Sequence, residues 1–240
     1  ENDKYLIGNP QFTYFKGVYK RHTNFAKESI MLNLVGDTQI TSSSAFNQRF
    51  YVTIPKNADL VHKMYLAIDL HSDISLNTTN NPNFSNNAFS LIDYIEVTIG
   101  DQVIDRHSGE WLHIYNELFV NEYKNQSICD MINIHKNAKQ PDNSISGGDG
   151  LVYIPLNFWF NRNPGLALPL LALQYADVKI NIRLNNKTKF LNTPSVTNTI
   201  NINSIKILTE FIHLDTEEKM LFSSKAHEYL IEQLQYTSNQ

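Results

Sequence analysis

The residues of this chain best suited to chemistry are His107, Glu110, His113 and Glu117. On a helix their spacing places the four side chains within roughly one third of the circumference, and imidazole with carboxylate is a zinc-binding combination. The spacing departs from the His-Glu-x-x-His of metalloproteases, and the polar face of an amphipathic helix accounts for all four without a metal. Cys129, the one cysteine, follows Ser127 and Ile128 in a segment expected to be partly buried. It reads as an inert packed thiol, and no intrachain disulfide can form. Gly147-Gly148-Asp149-Gly150 lacks the Lys-Ser/Thr of a phosphate-binding loop and precedes a strand rather than a helix. There is no Gly-x-Ser-x-Gly elbow, and none of the eight histidines pairs visibly with a serine or with Cys129. The expectation is a non-enzymatic protein with no catalytic residues, no cofactor and no metal. Sequons stand at Asn77, Asn83, Asn125 and Asn186; roughly one residue in eight is asparagine, so chance sequons are expected.

The elements that would position such residues belong to a folded β-protein. With 240 residues, 42% hydrophobic and 18% charged, the chain can bury the core of one sandwich and falls outside the disordered range. A net charge of −4 gives no case for wrapping nucleic acid. Lys16, Lys20, Arg21, His22 and Lys27 form a local basic arm, either solvated or touching an acidic partner. No apolar run approaches a membrane span; the longest, around Leu166 to Leu173, contains Pro169.

A two-residue period marks strands near Ser29–Val35, Ala45–Ile54, Leu60–Leu70, Leu91–Ile99, Gln102–Asp105, Leu151–Asn157, Asp177–Leu184 and Ser204–His213. Gly100-Asp101 between two of these runs predicts a tight hairpin. Polar stretches at Ser72 to Ala88, Lys136 to Gly150 and Asn185 to Asn203 read as long exposed loops. Trp111, Tyr115, Leu118, Phe119 and Glu122 follow helical spacing after Ser108-Gly109, predicting a helix over Trp111–Tyr123 outside the sheets. Asp215 with Glu218 three positions on has capping-box spacing for a second helix through Met220, Leu221 and Phe222. Beyond it an apolar pattern resumes at Tyr229, Leu230, Ile231 and Leu234 and stops at Gln240, as if another module began there.

Eight strands with short helical insertions fit an all-β, eight-stranded antiparallel jelly-roll sandwich; a different Greek-key sandwich fits nearly as well. Two further functional classes are compatible with that fold. A carbohydrate-binding module would present exposed aromatics on one sheet face. A cupin-like enzyme would need a His/Glu cluster on inward strand positions, for which His62 and His71 are the main candidates.

Six segments, in order along the chain, carry a family resemblance. Ile154-Pro155-Leu156-Asn157-Phe158-Trp159-Phe160-Asn161-Arg162-Asn163-Pro164-Gly165, continuing through Leu166-Ala167-Leu168-Pro169-Leu170-Leu171-Ala172-Leu173-Gln174-Tyr175, closely resembles the signature of major capsid proteins of nucleocytoplasmic large DNA viruses. So do Tyr19-Lys20-Arg21-His22-Thr23-Asn24-Phe25-Ala26, Asp59 to Leu66, Leu91 to Glu96, Gly109-Glu110-Trp111-Leu112, and His227-Glu228-Tyr229-Leu230-Ile231-Glu232-Gln233-Leu234. Ala176-Asp177 departs from the His-Glu that relatives often carry there.

The resemblance implies a double jelly-roll protomer, trimeric pseudo-hexagonal capsomers and an icosahedral shell. It implies as partners a homotrimer, neighbouring capsomers and minor capsid proteins at the inner face, with location in the virion after assembly in the host cytoplasm. The division it implies is an arm over 1–28, a first jelly-roll over 29–213, and a linker helix with the start of a second jelly-roll over 214–240. The signature can also be read from its residues. Pro164 and Gly165 turn the chain out of a strand, Arg162 can satisfy several carbonyls, and Leu166, Leu168, Leu170 and Leu171 are expected to bury, against the sandwich or against a neighbouring subunit.

Overall fold

The computed structural model describes residues 23–36, 47–72, 75–76, 88–132, 145–146, 149–186, 200–225 and 227–236. Strands are β1 Phe25–Asn33, β2 Val35–Gly36, β3 Arg49–Thr53, β4 Leu60–Ser72, β5 Ser75–Leu76, β6 Ile92–Ile99, β7 Gln102–Ser108, β8 Ile145–Ser146, β9 Asp149–Pro155, β10 Leu168–Pro169, β11 Val178–Leu184 and β12 Ile200–Leu214. Helices are α1 Gly109–Phe119, α2 Glu122–Ile132, α3 Trp159–Arg162 and α4 Thr216–Ser224.

Alternation of apolar and polar side chains explains the two layers. In β11, Val178, Ile180, Ile182 and Leu184 are buried while the residues between them are half-exposed; in β3, Phe50 and Val52 are buried between exposed neighbours. Such strands must lay one face on another apolar face. One sheet runs β1-β12-β4, with β9 and β10 sharing the far side of β4; the other runs β2-β3-β11-β6-β7. Every pairing in both is antiparallel. Without the two-residue strands β2 and β10, each sheet has four long strands that interleave early and late parts of the chain, which is the jelly-roll arrangement. The expected fold class is therefore the observed one. Phe50, Ile54, Met64, Leu66, Ile68, Ile95, Val97, Ile180, Ile205, Ile207 and Phe211 lie between the sheets.

The hairpin at Gly100-Asp101 forms as expected. Both residues have positive φ, 56° and 67°, and Ile99 pairs with Gln102, so this is the two-residue turn whose twist matches the strands. The single helix expected over Trp111–Tyr123 is instead two. Ser108 Oγ accepts from Trp111 N at 3.1 Å and starts α1. At Val120 the backbone turns extended, φ −81° and ψ 127°, and closes the helix. The Asn121 carbonyl then accepts from Lys124 N and Asn125 N and begins α2. The helix α2, which carries Cys129, was not anticipated.

All three stretches expected as loops also hold structure: Ser75–Leu76 of the first pairs with Ile145–Ser146 of the second in a small separate ribbon, and β12 begins inside the third. Residues 73–74, 77–87, 136–144, 147–148 and 187–199 of the polar stretches, and the basic arm through His22, lie outside the described residues. No described helix is long and apolar enough to cross a membrane.

Candidate assembly surface

The signature segment wraps the first half of β4. It leaves β9 with Leu156 N donating to Met64 O at 3.0 Å. Phe158, Trp159 and Phe160 then turn inward and are buried. Phe160 stacks on Phe158 at 5.9 Å and meets Trp159 edge-on at 5.1 Å. The Asn161 amide donates to the His62 carbonyl. Asn163 Oδ1 accepts from Gly165 N at 2.9 Å and caps a 3-10 turn with Pro164 in its first position. Leu168 and Pro169 pair with Val61 and Leu60, and Leu171 N donates to Asp59 O at 3.2 Å. Leu168 and Leu170 are buried in this chain's own core, while Leu166 and Leu171 are half-buried.

Arg162 joins this segment to its surroundings. Its Nε donates to the Asn157 carbonyl at 2.9 Å, its Nη1 meets Glu232 at 2.5 Å, and its guanidinium lies 4.9 Å from the Tyr115 ring centre. Of the several carbonyls expected it takes one, and its other contacts are a carboxylate and an aromatic face.

The sequence-derived metal candidate does not assemble. His107 lies on β7 rather than on a helix. It is buried, stacked on Phe158 at 4.6 Å, with Nε2 3.0 Å from Asp105 Oδ2. Glu110, His113 and Glu117 are exposed on α1. Helical spacing therefore holds for Glu110, His113 and Glu117 but not for His107, which the strand buries. Among the described residues no group of three or more His, Cys, Asp or Glu is placed to hold a metal ion. Of the cupin-like candidates, His62 is buried with its Nδ1 3.2 Å from Glu210 Oε1, which Lys27 also reaches at 3.2 Å, so it sits in an ion-pair cluster. Burial would raise the Glu210 carboxyl, but contacts with His62 and Lys27 hold it below its ordinary value. The side chain of His71 lies outside the described residues.

Two grooves with aromatic lining open on the described surface. On α1 the rings of Trp111, Tyr115 and Phe119 follow one another at 6.1 Å and 4.7 Å. With Arg162 and residues 232–234 they line a groove of about 380 Å³. A second groove, about 490 Å³, lies between residues 169–175 and the end of α4, among Phe222, Lys225, His227 and Tyr229. Tyr175, fully exposed, stands on the rim of the second groove, and Leu118 and Tyr123 are exposed at 70% and 92%.

The pattern described by "Major capsid protein N-terminus" matches residues 13–215. The chain belongs to the major capsid protein family. A relative from Pyramimonas orientalis virus is 38% identical over 99% of this chain and 57% of its own length. The major capsid protein of Paramecium bursaria Chlorella virus 1 is 36% identical over 99% of the chain and 51% of its own. A crystal structure of PBCV-1 VP54, fitted into a reconstruction of the virophage Sputnik, superposes with TM-score 0.73 and 31% identity, over 94% of this chain and 51% of that one. The Faustovirus major capsid protein, 11% identical with TM-score 0.63, shares the fold. The chain thus spans about half the length of the capsid proteins it matches. These relatives are structural proteins rather than enzymes.

Proposed function

We propose that this chain is the first jelly-roll of a shell-forming major capsid protein of a large DNA virus. The observation that carries the reading is the superposition on PBCV-1 VP54 over 94% of the chain at 31% identity. The chain divides into an arm over 1–28, a jelly-roll over 29–213, and a linker helix leading to a second jelly-roll over 214–240. Three two-module protomers form a pseudo-hexagonal capsomer around a closed symmetry axis, and capsomers tile an icosahedral shell in the virion. Minor capsid proteins bind the inner face, and assembly takes place in the host cytoplasm.

Light scattering on the full-length protein, with electron microscopy and composition of purified particles, tests this. A stable trimer and a major particle component are expected. A protein that stays monomeric under all assembly conditions and is missing from particles would sink the reading.

A further inference from the structure

Among the described residues the strand order places β7 at the end of its sheet, with no strand paired on its outer side. An uncovered edge of this kind is a template for pairing with another chain. Part of the segment that follows α4 lies along it without forming a ladder. Gln233 Nε2 donates to the Ile104 carbonyl at 2.6 Å. Leu234 N donates to Asp105 Oδ1 at 3.1 Å. One residue earlier, Glu232 meets Arg162 at 2.5 Å. Three consecutive residues are therefore fastened through side chains, two to the edge strand and one to the signature segment.

Asp105 is the centre of this arrangement. Its side chain is fully buried, and a buried carboxylate is costly unless paired and hydrogen-bonded. Its partners are Arg106 N at 2.9 Å, His107 at 3.0 Å and Leu234 N. The backbone donor at Leu234 comes from outside the sandwich, so Asp105 Oδ1 gains its second backbone donor only when the segment is docked.

We infer that residues 232–234 form a strap that guards the β7 edge of the sheet, with Asp105 as the positioning residue that sets its register. The strap blocks edge-to-edge pairing with a second copy and holds the segment beyond α4 in one direction. This goes beyond the capsid reading and does not rest on it.

Hydrogen exchange on the intact protein reads the strap directly. The peptide 229–236 should exchange at least about tenfold more slowly than the same peptide free in solution. Glu232→Ala combined with Gln233→Ala changes only exposed side chains. It should speed exchange of this peptide by about tenfold, leave strands 92–99 and 178–184 unchanged, and increase association in light scattering. Asp105→Ala should release the Leu234 amide, and Asp105→Asn, which keeps an acceptor, should restore much of its protection. If Asp105→Ala does not fold, the surface pair decides. Free-peptide exchange in the unaltered protein, no acceleration in the double variant, or acceleration spread equally over the sandwich would each overturn the assignment.

Discussion

Two stretches of this chain have similar apolar content and opposite fates. In the signature segment, Leu168 and Leu170 are buried, 4% and 2% exposed; after α4, Leu230 is 82% exposed. The difference lies in what each stretch can face. Residues 154–171 run beside β4 and donate hydrogen bonds to the carbonyls of Met64 and His62 and to that of Asp59 just before the strand, so their apolar side chains are delivered into the sandwich. Residues 229–234 reach the β7 edge, Arg162 and the rims of two open grooves, and are fastened by polar contacts. Hydrophobicity drives burial only where the backbone's own polar groups can also be satisfied.

The largest expected effect is in the first region. Phe158→Ala removes a fully buried ring that stacks on both Phe160 and His107. It should cost about 3–5 kcal/mol, lowering the thermal midpoint by about 10 °C, as calorimetry would show. Leu168→Ala should cost about 2–5 kcal/mol in denaturant titration. A loss no larger than that of a surface substitution would mean that the segment packs less firmly than its burial indicates.

Arg162 sits between the regions, so Arg162→Ala should produce an intermediate loss of about 1–2 kcal/mol. The Asn157 carbonyl loses its donor and Tyr115 its cation. The partner Glu232 is 72% exposed and adds little. Glu232→Ala alone should therefore cost much less than Arg162→Ala; equal losses would show that the ion pair dominates.

Acid sharpens the comparison, because each region rests on a carboxylate. Asp105 supports the strap, while Glu210 holds His62, whose carbonyl the signature engages. Burial would raise both carboxyls. Contacts with His107 and the Leu234 and Arg106 amides lower Asp105, and His62 and Lys27 lower Glu210. A depressed native value means that their stabilisation is fully present above the ordinary carboxylate pKa of about 4 and is lost as pH falls through the native value. Urea midpoints should fall between about pH 5 and pH 3, and Asp105→Asn should flatten that slope. A variant with the unaltered slope would remove Asp105 from the account.

The smallest effect belongs to Leu230→Ser, expected within about 0.5 kcal/mol. A larger loss in denaturant titration would show that Leu230 packs against this module after all.

Much of this molecule was legible in local pattern. The two-residue alternation in Val178–Leu184 and Phe50–Val52, the Gly100-Asp101 turn and the Asp215 cap are short-range facts. Steric limits on φ and the period of side-chain direction impose them. The Asp215 cap is observed, its carboxylate accepting from Thr216 N at 2.7 Å. The six family segments marked the jelly-roll and its kinship. The break between α1 and α2 was harder to see, because apolar spacing continues past it while the Val120 backbone does not.

Other features depended on residues far apart in the chain. Nothing adjacent to His107 shows that Asp105 and Phe158 will enclose it, or that Leu234, 129 positions from Asp105, will supply that carboxylate with a donor. Gly109 is a further case. A Cβ there would lie 2.3 Å from the Phe89 carbonyl oxygen and 2.4 Å from that of Ile92, so the requirement for glycine comes from another turn of chain rather than from its own helix. Local sequence determined the strands, turns and caps, because those obey nearest-neighbour sterics. Tertiary structure decided which polar groups are buried together and which apolar runs find cover, because desolvation and pairing depend on whatever partner the fold brings within a few ångströms.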